Sequence, residues 1–306
     1  VAGTYGDGLT AQIRLDELDL SVANGFIAGL GIGGTATGSL DFQQANPSAF
    51  PLADARLEIA NFTRSSIATV STPVNISFVG KLLPDGGDGR ALIKRGTTTI
   101  GRAVVTLRPL PPGSGSWRER LLAAPLSGGL RYNGPSTVLF SLAGQPGQTL
   151  SGPVGIAADF SGRVRSPQLN GVIRASNLTY ENENYGTRLT NMKVEGRFSN
   201  DQLILSDVTA RAGSGTVKAK GQIGLSADAG FPVQLRAEFD NAQLARSDAL
   251  EGVANGWIEV TNDARSALVR GRLTIPEARY EIIRQGAAQI AELRGVTTHV
   301  LPGTRA

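Results

Sequence analysis

The chain has 306 residues, enough to bury a sizeable core, and its 39 glycines, 15 prolines and 6% aromatic content favour strands and turns over helices. The net charge is +4, with 25 Arg and 5 Lys spread along the chain, which lacks the one-sided clustering that nucleic-acid binding needs. Cysteine is absent, so thiol catalysis, thiolate metal sites and disulfide staples are excluded.

Apolar and polar residues alternate from the start. Leu9, Ala11, Ile13 and Leu15 interleave with Thr10, Gln12 and Arg14. Gly29-Leu-Gly-Ile-Gly-Gly34 spells GxGxxG, but a dinucleotide site needs a helix directly after it, and TATGSLDF alternates like a strand. The two-residue beat returns at Val74, Ile76 and Phe78, and the Asp85-Gly-Gly-Asp-Gly loop follows. Asp85 and Asp88 lack the repeated ligand spacing of a calcium loop, which favours a plain turn. After the break at Leu110-Pro-Pro-Gly-Ser-Gly115, Ser116 and Glu119 have capping-box spacing and predict a short helix over 117–124.

Val154, Ile156, Ala158 and Phe160 alternate next, and Arg165-Ser-Pro-Gln168 reads as a turn. Val194, Gly196 and Phe198 precede a turn at Asn200-Asp201, and Leu203 and Leu205 follow it. In RAGSGTVKAKGQIGL (211–225), Gly213-Ser-Gly215 reads as a tight turn or bulge opening a strand. Val217, Ala219, Gly221, Ile223 and Leu225 then lie opposite Lys218 and Lys220. Val233, Leu235 and Phe239 form another set, and Val269, Leu273 and Ile275 the last. A second short helix is predicted over 286–294. Alternation of this kind describes an antiparallel sheet with one wet face, whereas a doubly covered parallel sheet would show continuous apolar runs.

Catalytic signatures fail. His299, the single histidine, stands near the end of the chain without a GxSxG elbow, and no Walker-type loop occurs. Asn61, Asn75 and Asn177 sit in N-x-[ST] triplets at about the chance rate. A transmembrane barrel is disfavoured because the aromatic residues form no girdles. No apolar run reaches the length of a membrane helix, and the sequence reads as a soluble segment excised from a longer protein. A carbohydrate-active β-sandwich would need a carboxylate pair in a cleft, and nothing singles one out.

Several motifs in order resemble the TamB family. They are LAG-x-x-GQ-x-LSG at Leu142–Gly152, SG-x-V-x-x-PQL-x-G at Ser161–Gly171, Asn177-Leu178, G-x-x-L at Gly186–Leu189, and RAGSGTVKAKGQIGL. The resemblance is strong over the central half of the chain and a matter of style over the first hundred residues. It implies an all-β fold: a long antiparallel meander curled into an open, taco-like groove with an apolar concave face and at most one or two short helices. It divides the chain into β-sheet repeats over 1–108, a loop with a short helix over 109–126, and a TamB-like sheet over 127–306 that continues the same groove.

Function follows from that likeness as an expectation. The family is periplasmic, anchored in the inner membrane by an N-terminal helix, partnered by an outer-membrane barrel of the BamA type, and implicated in phospholipid movement and outer-membrane protein assembly. The expected groove lining is Val74, Ile76, Phe78, Val154, Ile156, Phe160, Val194, Phe198, Leu203, Leu205, Val217, Ile223, Leu225, Val233, Leu235, Phe239, Val269, Leu273 and Ile275. The ligand would be phospholipid, with no cofactor, metal or catalytic residue. The alternative is a scaffold that templates barrel strands by β-augmentation.

Overall fold

A computed structural model describes residues 2–5, 8–27, 30–65, 70–142, 147–226, 230–246, 250–262 and 266–280. The helix predicted over 286–294 and His299 lie outside them. Seventeen strands follow one another among the described residues. The first eight are β1 (Ala2–Tyr5), β2 (Leu9–Asp19), β3 (Ile32–Gln44), β4 (Leu52–Arg64), β5 (Val74–Leu82), β6 (Gly87–Arg95), β7 (Thr98–Leu107) and β8 (Leu126–Pro135). Then come β9 (Gln148–Ser151), β10 (Pro153–Arg163), β11 (Ser166–Asn182), β12 (Thr187–Asn200) and β13 (Gln202–Ala212). The last are β14 (Gly215–Gly224), β15 (Val233–Arg246), β16 (Leu250–Asn262) and β17 (Ala267–Tyr280).

Each strand pairs antiparallel with its successor from β1 to β8 and from β10 to β17, and β8 pairs with β10. Strands β9 and β10 both pair with the same side of β11 and act as one strand broken at Gly152. There φ is +115°, and a Cβ would stand 2.8 Å from the Asn177 carbonyl, so only glycine fits the break. The fold is therefore an open antiparallel meander in a single sheet. The two turns expected at Asp85–Gly89 and Arg165–Gln168 are tighter than their sequences suggest. Gly87 and Asp88 already belong to β6, and Ser166 and Pro167 to β11.

The strands bend along a line of bulges. Register slips beside Glu17 in β2, Asn61 in β4, Asn177 in β11, Asn191 in β12 and Asn241 in β15, and each of these residues has positive φ, between 46° and 56°. Asparagine tolerates this left-handed conformation better than most side chains. The extra residue leaves an amide without a ladder partner, and a neighbouring strand supplies one: the Asn61 amide donates to Asn75 Oδ1, the Asn241 amide to Asn255 Oδ1, and the Glu17 amide to Thr37 Oγ1. The next residue turns back to the apolar side. Phe62, Leu178, Met192 and Ala242 all pack in apolar clusters, and Leu178 is 3% exposed.

Beyond this line two gaps open in the sheet, and each is closed differently. Strands β5 to β8 end near it, whereas β4, β11 and β12 run past. A helix absent from the sequence expectations, α2 (Ser136–Leu142), fills that gap and touches β4, β8 and β9. Val138 is 1% exposed in a cluster with Val74, Ile100, Tyr132, Val154, Ala175 and Leu178. Ser141 Oγ accepts from the Thr72 amide (3.2 Å), and the Ser136 amide donates to the Gly152 carbonyl (2.8 Å). The second gap lies past the tip of the β13–β14 hairpin. Three strand spacings, roughly 14 Å in a flat sheet, would separate β12 from β15. Instead Thr187 Oγ1 donates to the Leu244 carbonyl, and the Arg246 amide to the Tyr185 carbonyl (3.1 Å). The sheet is drawn in on itself there, around Ala212, Val217 and Ala242.

The helix predicted over 117–124 is α1 (Trp117–Leu122), with both hydrogen bonds of the capping box between Ser116 and Glu119. Its Arg120 is buried at the opposite end of the strands from α2. The guanidinium donates to the Leu110 carbonyl (2.6 Å) and the Pro84 carbonyl (3.0 Å), and lies 4.9 Å from the centre of the Phe50 ring. One side chain thereby ties three successive loops together. A 3₁₀ helix at Leu20–Gly25, also absent from the expectations, is capped by Asp19.

Candidate functional site: one apolar sheet face

Residues paired across an antiparallel ladder share a face, so the registers trace each apolar row through the sheet. One row runs Leu57, Phe78, Ala91, Ala103, Leu130, Ala158, Gly171, Phe198, Leu203, Ile223 and Val233. The next runs Ile59, Ile76, Ile93, Gly101, Tyr132, Ile156, Ile173, Gly196, Leu205, Gly221, Leu235, Val260 and Val269. A third holds Val154, Ala175, Val194, Val208, Ala219, Ala237, Ile258 and Gly271, and a fourth Val217, Phe239, Gly256 and Leu273. Phe160 stands between Gly128 and Leu169. Seven separately read alternating segments thus share one face.

Three residues of the expected lining stand apart from these rows. Val74 pairs with Phe62 at the start of β5. Leu225 lies past the end of β14, where its amide donates to the Asp201 carbonyl, and Ile275 lies two residues beyond Leu273, next to a register slip. The lining residues differ in surroundings. Val74 and Val154 are buried in the cluster beneath α2, with Ile76, Ile156 and Val194 at its margin. Val217 is buried and Phe239 packs beside it. Phe78, Phe198, Leu203, Leu205, Ile223, Val233 and Leu235 are partly buried although no second layer of strands covers them. Curling of the sheet shields them. At the last strand that shielding ends, and Val269, Leu273 and Ile275 are exposed, Val269 by 63%.

The other face is polar and charge-paired. Arg14 bonds Asp41 (2.9 Å), Arg131 bonds Asp159 (2.7 Å), and Lys193 bonds Glu195 (2.8 Å). Arg236 joins Glu238 and Glu259, lies 4.3 Å from the centre of the Trp257 ring, and shares Glu259 with Arg270. Hydrogen bonds from Arg236 and Arg270 hold the Glu259 carboxyl below its ordinary value, and Lys193 does the same for Glu195. These pairs are exposed or half-buried and keep the face wet. No group of His, Asp and Glu residues that could hold a metal occurs among the described residues, and no described helix is long and apolar enough to cross a membrane.

The family model for the TamB C-terminal domain matches residues 206–305. Over that third of its length the chain is similar to the TamB family. The matched segment takes in β13 from Ser206 onward and β14 to β17, including RAGSGTVKAKGQIGL. The TamB-like motifs between Leu142 and Leu189 lie before it, in α2, β9 to β11 and the start of β12, and they coincide with structural needs: Gly152 is the break between β9 and β10, and Asn177 is a bulge. No curated protein and no solved structure matches the chain. TamB proteins are transport or assembly modules of the bacterial envelope.

Sequence reasoning overlooked α2, the element that shapes this face most. STVLFSL is too short for a helical period to show, and Val138-Leu139-Phe140 reads equally well as a buried strand. The gap that the helix fills exists only once β5 to β8 are seen to stop.

Proposed function

We propose that the apolar face is a track for phospholipid acyl chains, and that the chain is a periplasmic segment of a bridge-like lipid-transfer protein between inner and outer membranes. The continuity of the apolar rows from β4 to β17 carries this reading. Moving an acyl chain into water costs about 0.8 kcal/mol per CH₂, so an unbroken apolar surface removes most of the barrier to crossing an aqueous gap. Such transfer needs no chemical step. The strand runs within 1–108 and 127–306 act as one elongated groove, with headgroups at the open seam. In the full-length protein an inner-membrane anchor and an outer-membrane barrel partner would hold the two ends.

Photo-crosslinkers placed singly at Phe160, Leu235 and Leu273 test the reading. Capture of phospholipid at all three supports it, and capture at none refutes it for this segment. Leu235→Asp should abolish lipid co-purification while the circular dichroism of the sheet is retained.

A second reading rests on a different observation. The outer edge of β17 pairs with no described strand, and Leu268, Val269, Leu273 and Ile275 are exposed on it. Such an edge can template an incoming strand, as a scaffold for outer-membrane barrels would. Crosslinks from β17 to unfolded barrel substrates, with no lipid at Leu235, would favour this alternative.

A further inference from the structure

The polar face contains a depression of about 360 Å³ on β7, β8, β10 and β11, with Thr99, Arg102, Arg131, Asn133 and Arg174 around it. Gly155 and Ala157 in β10, which add little bulk, and the apolar Val172 in β11 also line it. Gly155 is not there for backbone reasons. It is absent from the residues with positive φ, and a Cβ on it would meet only the Arg174 carbonyl at 3.8 Å, an ordinary contact. A larger side chain would fit and would fill the hollow.

Arg131 donates to Asp159 Oδ1 and to the Ala158 carbonyl (2.8 Å), so it is anchored. Arg102 is its direct cross-strand partner, a like-charge placement that Asp159 offsets by its contact with Arg131 alone. No carboxylate reaches ion-pair distance of Arg102 or Arg174 among the described residues, as is also true of Arg56, Arg90 and Arg197 on this face. Glu195 is opposite Arg174 in register but bonds Lys193. Neither the Thr99 hydroxyl nor the Asn133 amide hydrogen bonds to any described residue. Two guanidinium groups that make no ion pair, Arg174 being near enough to Glu195 to help lower its carboxyl, and two polar side chains that make no hydrogen bond to a described residue therefore surround one hollow.

We propose that this depression binds a phosphate group, held by Arg102 and Arg174 with Thr99 and Asn133 as neutral partners. Guanidinium forks match phosphate oxygens in pairs, and the empty floor over Gly155 gives the anion room close to the sheet. Arg102, Arg131, Asn133 and Arg174 lie on the opposite face from the apolar rows, although Gly101, Tyr132 and Ile156 of the second row also border the hollow, and the proposal stands or falls independently of the lipid-track reading. The same chemistry serves a free phosphate or a phospholipid headgroup at a membrane surface.

The test uses the whole chain and two probes, inorganic phosphate by calorimetry and vesicles of phosphatidylglycerol against phosphatidylcholine by flotation. Arg102→Ala and Arg174→Ala should each weaken binding about tenfold, the loss of one charge-assisted hydrogen-bonding partner. Gly155→Leu, which keeps every charge and fills the hollow, should weaken it by a similar factor, while Lys218→Ala on the same face should leave it unchanged. Thermal melts of each variant separate lost binding from lost folding. Dependence on Arg102 and Gly155 with inorganic phosphate identifies a soluble ligand; dependence only with phosphatidylglycerol vesicles identifies a headgroup. Equal loss in Lys218→Ala, or no loss in Gly155→Leu for either probe, overturns the proposal.

Discussion

The backbone amide of Asn241 donates to the side-chain oxygen of Asn255 on the adjacent strand (2.7 Å), and Asn61 and Asn75 make the same bond (2.9 Å) in the other half of the sheet. Both donors are bulge residues in the left-handed conformation, and both acceptors belong to the strand that follows. The sheet thus uses one device twice to bend without orphaning an amide. Asn75→Ala and Asn255→Ala should each cost about 1 kcal/mol by leaving that donor unpaired, whereas the Asp variants, which keep the acceptor, should cost less. Asn241→Gly should be tolerated and Asn241→Val should not, because a β-branched side chain is strained at positive φ. Urea unfolding curves measure all six.

Val138 is the most deeply buried large side chain among the described residues and joins the rims of the gap that α2 fills. Val138→Ala should destabilise by about 2 kcal/mol, the transfer loss plus an unfilled cavity. Ser141→Ala should cost less, about 1 kcal/mol, by releasing the Thr72 amide. If urea unfolding shows both variants within error of the parent, α2 is not holding the sheet.

Arg120 is a buried cation bonded to carbonyls, with no carboxylate beside it. Arg120→Ala should cost about 3 kcal/mol, since two charge-assisted bonds and the Phe50 contact disappear together. Arg120→Lys should fall between, because a point ammonium cannot reproduce the fork that spans both loops. A lysine variant as stable as the parent would refute the clamp.

Glu119 is held below its ordinary carboxylate value, first by the Ser116 amide and then by the Ser116 hydroxyl. A carboxyl depressed in the folded state stabilises fully above its unfolded value, about 4.3, and that contribution is lost as pH falls through the lower folded value. The start of α1 should therefore loosen only on the acid side of that range and remain unchanged at neutral pH. Fluorescence of Trp117, read in a Trp257→Phe background, should report an acid transition that Ser116→Ala shifts upward. A transition insensitive to Ser116 would remove the capping box as its cause.

The strand code was legible because one wet face and one dry face impose a period of two on every strand, whatever its neighbours. Val217, Ala219, Gly221 and Ile223 opposite Lys218 and Lys220 already stated which way RAGSGTVKAKGQIGL faces, and the Ser116–Glu119 spacing stated where a helix starts. These are local relations, settled by residues a few positions apart.

What the tertiary structure alone decided is how far each strand runs and what closes the space where it stops. The Asn61–Asn75 bond depends on two strands coming into register, and α2 is recognisable only from the gap between β4 and β9. The contact of Thr187 with the Leu244 carbonyl joins strands three places apart in the sheet, a distance that no pattern within either strand encodes. Likewise Arg102 and Arg174 come to one hollow only because β10 sets Gly155 between their strands. Periodicity specifies the face of a side chain, since that is fixed by the backbone of its own strand. Its neighbours across the sheet follow from register and curvature, which arise only when the whole meander is assembled.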